Sequence, residues 1–418
     1  MSTKSKVQSL LIRVLASTMV VFGGTASLLG SGGGGGDSVI APFDLATGVI
    51  VADLNGDGRP DVALARTHIA APPPHPGSVL VYLHSPSASD TFLGPVSYPV
   101  GSDPWRMTAA DLNGDGLTDL AVASTTGNAI SVLFQDVTQA GSFLAARTFD
   151  SDPAPYQVAA ADMNGDGRLD MVAAVQANPP GGVSLLLQNP LLPSDFAAPV
   201  NLPIGPGSTT VATGDFNQDA KPDIVVATFN PLDASVDGVY IGLQDANVAG
   251  TFLVNKLAAG QSPSYVAVAD LNGDGLDDLV VINQVVNGQG SGITIMLQDP
   301  AQPGQFLSPV KYPMNYGARM AVVADVNADG RPDIAVAADV LNLVNESRSI
   351  VQIFLQDPNQ AGHFIPAGAY PSGRAADFIA VGDINLDGTP DIVTSEGPSV
   401  LLQDPLQPGI FLPLRALY

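Results

Sequence analysis

The chain has 418 residues, a formal net charge of −24, 44 Gly, 35 Pro and no Cys. That charge argues against nucleic acid or an anionic membrane surface as a partner, and the missing thiols exclude disulfide stapling and cysteine chemistry. Many turn residues, only 13% charged residues and two Glu (Glu346 and Glu396) point to an all-β fold.

In chain order, residues 1–30 read as a signal peptide or lipoprotein-like leader. Lys4, Lys6 and Arg13 make a basic start, and Val14 to Leu29 is an apolar stretch short for a membrane span. "LLGSGGGGG" resembles a lipoprotein box, but Ser31 stands where acylation needs Cys, so lipid anchoring is doubtful. Residues 31–38 form a Gly-rich linker. The expected destination is secreted or the bacterial cell envelope, with no transmembrane span in the mature chain.

Residues 39–418 are a repeat array. The nonamer "DLNGDGRPD" at Asp53 returns at Asp111, Asp162, Asp215, Asp270, Asp325 and Asp383, at spacings of 58, 51, 53, 55, 55 and 58. Positions one, five and nine are always Asp and position three is always Asn, a set of hard oxygens suited to Ca²⁺, with position seven giving its carbonyl. The candidate ligands in the first three loops are Asp53, Asn55, Asp57, Arg59 and Asp61; Asp111, Asn113, Asp115, Leu117 and Asp119; and Asp162, Asn164, Asp166, Arg168 and Asp170. The next two loops offer Asp215, Asn217, Asp219, Lys221 and Asp223, then Asp270, Asn272, Asp274, Leu276 and Asp278. The last two offer Asp325, Asn327, Asp329, Arg331 and Asp333, then Asp383, Asn385, Asp387, Thr389 and Asp391. An EF-hand would need a bidentate Glu at position twelve, where apolar or small residues such as Leu64, Val122 and Val336 stand. Each loop leads into a Val- and Ile-rich run such as "DLVVI", a buried strand rather than a helix. Twenty-one of the 40 acidic residues sit at these positions, and up to seven Ca²⁺ would bring −24 to −10.

Each repeat carries four strand signals, such as "YVAVAD", "DLVVI", "GITIMLQ" and "FLSPVKYP". Four strands repeated seven times predict a seven-bladed β-propeller, with the Asp loop joining strands one and two of each blade. These motifs resemble the FG-GAP/VCBS repeats of integrin α-subunit heads and of many bacterial surface proteins. The resemblance implies a calcium-binding propeller with its loops on one face, and it leaves the ligand open.

Two segments compete to close the ring. "VIAPFDL" near the N-terminus and "FLPLRALY" at the C-terminus both read as a fourth strand, and the N-terminal one is expected to pair with the blade of Asp383. The Asp215 loop carries Ala220 where every other loop has Gly at position six, and Gln218 where four loops have Gly at position four, so it is expected to be distorted or metal-poor.

On the opposite face, the residues six before each first Asp form a ring: Thr47, Trp105, Tyr156, Thr209, Ser264, Arg319 and Asp377, with Tyr265 and Phe378 one position later. Trp105, Tyr156, Tyr265, Arg319, Asp377 and Phe378 are candidates for a sugar or a peptide side chain, although such aromatics also fill gaps between blades. His68, His75, His84 and His363 show no ligand spacing, there is no "GxSxG", and no catalytic residue or further cofactor is expected. The resulting reading is a monomeric, non-catalytic binding or adhesion propeller with an unknown protein or glycan ligand. A lectin using the face opposite the Asp loops is the first alternative, and a polysaccharide lyase or hydrolase is the second.

Overall fold

The computed structural model describes residues 44–417, apart from 70–73, 89–90, 177–180, 231–234, 246–247, 249, 285–290, 341–348, 374–376 and 396. The leader, the linker and residues 39–43 lie outside the described residues. The described residues form seven four-stranded antiparallel sheets and no helix. The expected seven-bladed propeller is therefore the fold.

Each blade runs outward in sequence order. The innermost strands are Asp44–Ala52, Pro104–Ala110, Pro155–Ala161, Ser208–Gly214, Pro263–Ala269, Gly317–Ala324 and Ile379–Gly382. They neighbour one another in a closed circle, the first touching the last. Their Ala and Val content suits this crowded axis. The second strands, such as Asp119–Ser124 and Asp278–Asn283, are buried along their whole length because a neighbouring blade covers each face. Outer strands such as Val96–Val100 lie largely exposed.

The core is divided into seven hydrophobic layers, one between each pair of adjacent blades. Position two of every Asp loop feeds a layer: Leu54, Leu112, Met163, Phe216, Leu271, Val326 and Ile384 are all buried. The layer holding Val62, Leu64, Phe378 and Val393 joins the seventh blade to the first and closes the disc.

The closure differs from expectation. The fourth strand of the last blade is Arg415–Ala416, paired with Ser399 and Val400, so the C-terminus supplies it. Asp44 and Leu45, expected to belong to an N-terminal closing strand, begin the inner strand of blade one and pair with His68 and Thr67. The C-terminal strand comes after "QDPLQPG", a turn of the same kind as the "QDPAQPG" and "QDPNQAG" that feed strand four in other blades. Local pairing across a short turn costs less chain entropy than recruiting the distant terminus.

Candidate functional site

The Asp loops hold one backbone conformation in all seven copies. Both oxygens of the first Asp accept N–H groups: in the Asp111 loop, Asp115 N donates at 3.0 Å and Gly116 N at 2.8 Å. The Asn at position three accepts from position five, and the Asp at position five accepts from position seven, as in Asn113 and Asp115. Positions four and six both need positive φ. Gly114 and Gly116 adopt 74° and 86°.

The Asp215 loop is not distorted. Gln218 and Ala220 take the same left-handed backbone, at φ 61° and 63°. Asp219 N and Ala220 N still donate to the Asp215 carboxylate, at 3.1 and 2.8 Å. The bonding pattern of the loop outweighs the Cβ penalty of about 1 kcal/mol per residue. Asp277, from the next blade's loop, also accepts from Asp215 N at 2.8 Å.

Position nine has a second task that the spacing of the nonamer does not announce. Each of these aspartates is completely buried and clamps two backbone N–H groups. Asp119 accepts from Leu112 N at 3.0 Å and from Gln135 N at 2.8 Å, tying the loop to the end of strand three. The same pair of bonds recurs at Asp61, Asp170, Asp223, Asp278, Asp333 and Asp391. The strand-three partner is Gln in six blades and His84 in the first, and the Gln side chain adds ties of its own. Gln356 Nε2 donates to Leu271 O of the preceding blade at 2.7 Å.

These clamps are electrostatically costly. Burial pushes Asp119 and Asp278 up to about 7, and the other five up to about 6, with the aspartates at positions five and one adding to the rise. The two amide bonds at each site pull the other way and do not offset burial. Arg168 and Arg331 pair with Asp166 and Asp329 at position five. Among the described residues no basic group stands within 4.0 Å of a position-one or position-nine carboxylate. The donor chemistry, all hard oxygen with surplus negative charge, fits Ca²⁺. As placed, however, no three acidic or His side chains among the described residues converge closely enough to hold an ion by themselves.

The second candidate site lies around the axis, toward the opposite face. Blades one to six carry a β-bulge in the inner strand at the level of Thr47, Trp105 and Arg106, Tyr156, Thr209, Ser264 and Arg319. A bulge re-aims side chains, and here it draws the candidate residues together. Trp105 packs edge-on against Tyr156 at 5.7 Å and Phe378 at 6.0 Å. Arg319 donates to Asp339 at 2.7 Å and stands 4.0 Å from Asp377. Burial and the nearby Asp339 push Asp377 up to about 7, against the pull of Arg319 and Arg106.

Arg106 does not stand out in the sequence, yet it is the hub. Its guanidinium carbon lies 4.6 Å from the Tyr265 ring centre and 5.6 Å from that of Phe378, and Nη1 donates to Gln157 Oε1 at 3.2 Å. Those partners come from blades five, seven and three. Nε is buried without an acceptor, as are the hydroxyls of Thr47 and Ser264 at the bulge level and of Thr210 in the inner strand of blade four. Burial lowers Arg106 to about 10. The aromatics thus both fill the centre and surround a cation. The available signal was a lone Arg in an inner strand otherwise built from small and apolar residues.

His68 and His75 are engaged rather than loose. His68 Nδ1 meets Asp44 at 2.8 Å and Nε2 meets Ser78 Oγ at 3.1 Å. Ser78 is only 3% exposed, and a hydrolytic serine needs an open side. His75 bonds Asp103 at 2.7 Å, and Thr126 bonds the same carboxylate.

The family model for an FG-GAP-like repeat matches residues 53–122, 111–173 and 270–336. Integrin alpha-PS2 of Drosophila melanogaster is 26% identical over 210 residues, covering 44% of this chain and 14% of that protein. The chain thus corresponds to a small part of that relative. Among the described residues, no helix is long and apolar enough to cross a membrane.

Proposed function

Starting from a seven-bladed propeller that carries FG-GAP-like repeats and is similar to part of an integrin α chain, we propose an extracytoplasmic, calcium-stabilised, non-catalytic binding module. Its ligand, a protein or a glycan, docks on the face opposite the Asp loops. Calcium belongs in the loops. Asp, Asn, Asp, a carbonyl and Asp would hold it, and its positive charge would offset the buried position-nine carboxylates. Sites of this kind fill where calcium is abundant, which suits a secreted or envelope location.

The observation that carries the binding role is a contrast within the molecule. The Asp loops repeat the same chemistry seven times, whereas the positions six residues before them show Thr, Trp, Tyr, Thr, Ser, Arg and Asp. A repeating frame with one level of unlike side chains is a scaffold with a site grafted onto it. Half-buried Trp105 favours a glycan as a second, narrower reading, because an indole beside polar groups suits a sugar ring.

Arrays of glycans and of extracellular proteins, probed with the calcium-loaded chain, test the proposal. Saturable capture that Trp105→Ala weakens at least about tenfold, roughly 1.4 kcal/mol, is expected. Capture unaffected by Trp105→Ala would move the ligand elsewhere, and turnover of a polysaccharide substrate would overturn the non-catalytic role.

A further inference from the structure

We propose that the guanidinium of Arg106 is the docking point for a carboxylate group of the ligand, entering from the face opposite the Asp loops; this rests on the axial reading of the ligand site and narrows its chemistry.

Arg106 has unused donor capacity. A guanidinium has five N–H donors in a rigid fork. Here one protein acceptor is engaged, the neutral Gln157 Oε1. Nε is buried without a partner, whereas Nη2 keeps some exposure and bonds no described acceptor. The residue as a whole is partly exposed. Tyr265 and Phe378 flank the cation and hold it away from bulk water, which strengthens any ion pair formed there.

The surrounding charges select the anion. Arg319, the other basic group of the cluster, is already held by Asp339 and lies beside Asp377. Arg106, by contrast, has no carboxylate hydrogen-bonded to it, although Asp377 lies within electrostatic reach of both arginines. A monoanion adds the least negative charge beside those carboxyls. A dianionic phosphate would carry excess negative charge toward Asp339 and Asp377. The planar fork also fits a planar carboxylate across Nη1 and Nη2. An acidic sugar and an acidic amino-acid side chain both present this group.

Trp105 is the only Trp in the chain and lies 6.0 Å from Phe378, so its fluorescence reports on the site. The full chain, loaded with calcium at fixed ionic strength, is titrated with acetate, D-glucuronate, N-acetyl-glutamate α-methylamide and neutral D-glucose. A saturable change with the carboxylates and none with glucose is expected. Tighter binding of glucuronate assigns the source to acidic sugars, and tighter binding of N-acetyl-glutamate α-methylamide to acidic peptides. Arg106→Gln should weaken binding at least about tenfold. Arg106→Lys keeps the charge but not the fork and should fall between, which preserves the test if Arg106→Gln does not fold. No saturable response to any carboxylate, an equal response to glucose, or wild-type binding by folded Arg106 variants overturns the proposal. If an array ligand depends on Trp105 but not on Arg106, the binding role stands and the carboxylate assignment alone falls.

Discussion

Stripping divalent cations should give the protein an acid-favoured stability. Each position-nine aspartate has a folded pKa above its ordinary value of 3.8, about 7 for Asp119 and Asp278 and about 6 for the rest. The fold therefore prefers the protonated form. That contribution is fully present below about pH 3.8 and is lost as pH rises through 6–7. At roughly 1.4 kcal/mol per pH unit, each site costs about 3–4 kcal/mol when ionised. Even heavily discounted, seven such costs are comparable with the roughly 5–15 kcal/mol that holds a typical domain together. A bound cation removes the cost by favouring the ionised form. Melting temperatures of metal-free protein at pH 5, 6, 7 and 8 should fall steadily, while an excess of Ca²⁺ should flatten or reverse the trend and raise the pH 8 value most. A metal-free protein that melts as high at pH 8 as at pH 5, and ignores added Ca²⁺, would refute both the burial argument and the role of the loops.

The loop geometry sets two more outcomes. Ala220→Gly should raise stability by about 1 kcal/mol, because Ala220 occupies a left-handed backbone that Gly adopts freely, and Gly116→Ala should lower it by a similar amount in urea unfolding. Metal analysis of the unmodified chain should then return about seven equivalents of Ca²⁺ rather than six, since the Asp215 loop keeps the common fold. Gln356→Ala removes the inter-blade bond to Leu271 O and should cost about 1 kcal/mol, read as a shift in urea midpoint at unchanged m value.

Legibility in the sequence was confined to features that are local and repeated. The nonamer places its oxygens within nine residues, so its chemistry can be read from one copy, and seven copies with four strand signals each leave little choice but a closed ring. The clamp by position nine escaped because its second partner lies on strand three, 16 residues beyond Asp119 in the case of Gln135. A trace of it was present in the Gln that ends strand three in six blades, visible only as part of a turn motif. Closure was ambiguous because two termini carried equivalent apolar strands, and chain connectivity, not composition, decided between them.

Arg106 was the least legible element, for a reason that also explains its interest. Its neighbours Gln157, Tyr265 and Phe378 come from three different blades, and only the closed ring brings them to one point. No periodic signal can announce such a contact, since every partner breaks the repeat at its own position. A structural plug at the axis needs only apolar bulk, which Met320 and Phe378 already supply. Putting a cation there instead costs desolvation, visible in the lowered pKa of Arg106 and in its unpartnered Nε. The two ring faces, Gln157 and the nearby Asp377 offset part of that cost and leave Nε without a partner. An outside anion meeting the fork, as proposed above, would offset the remainder and would put recognition at the centre of the disc rather than on its rim.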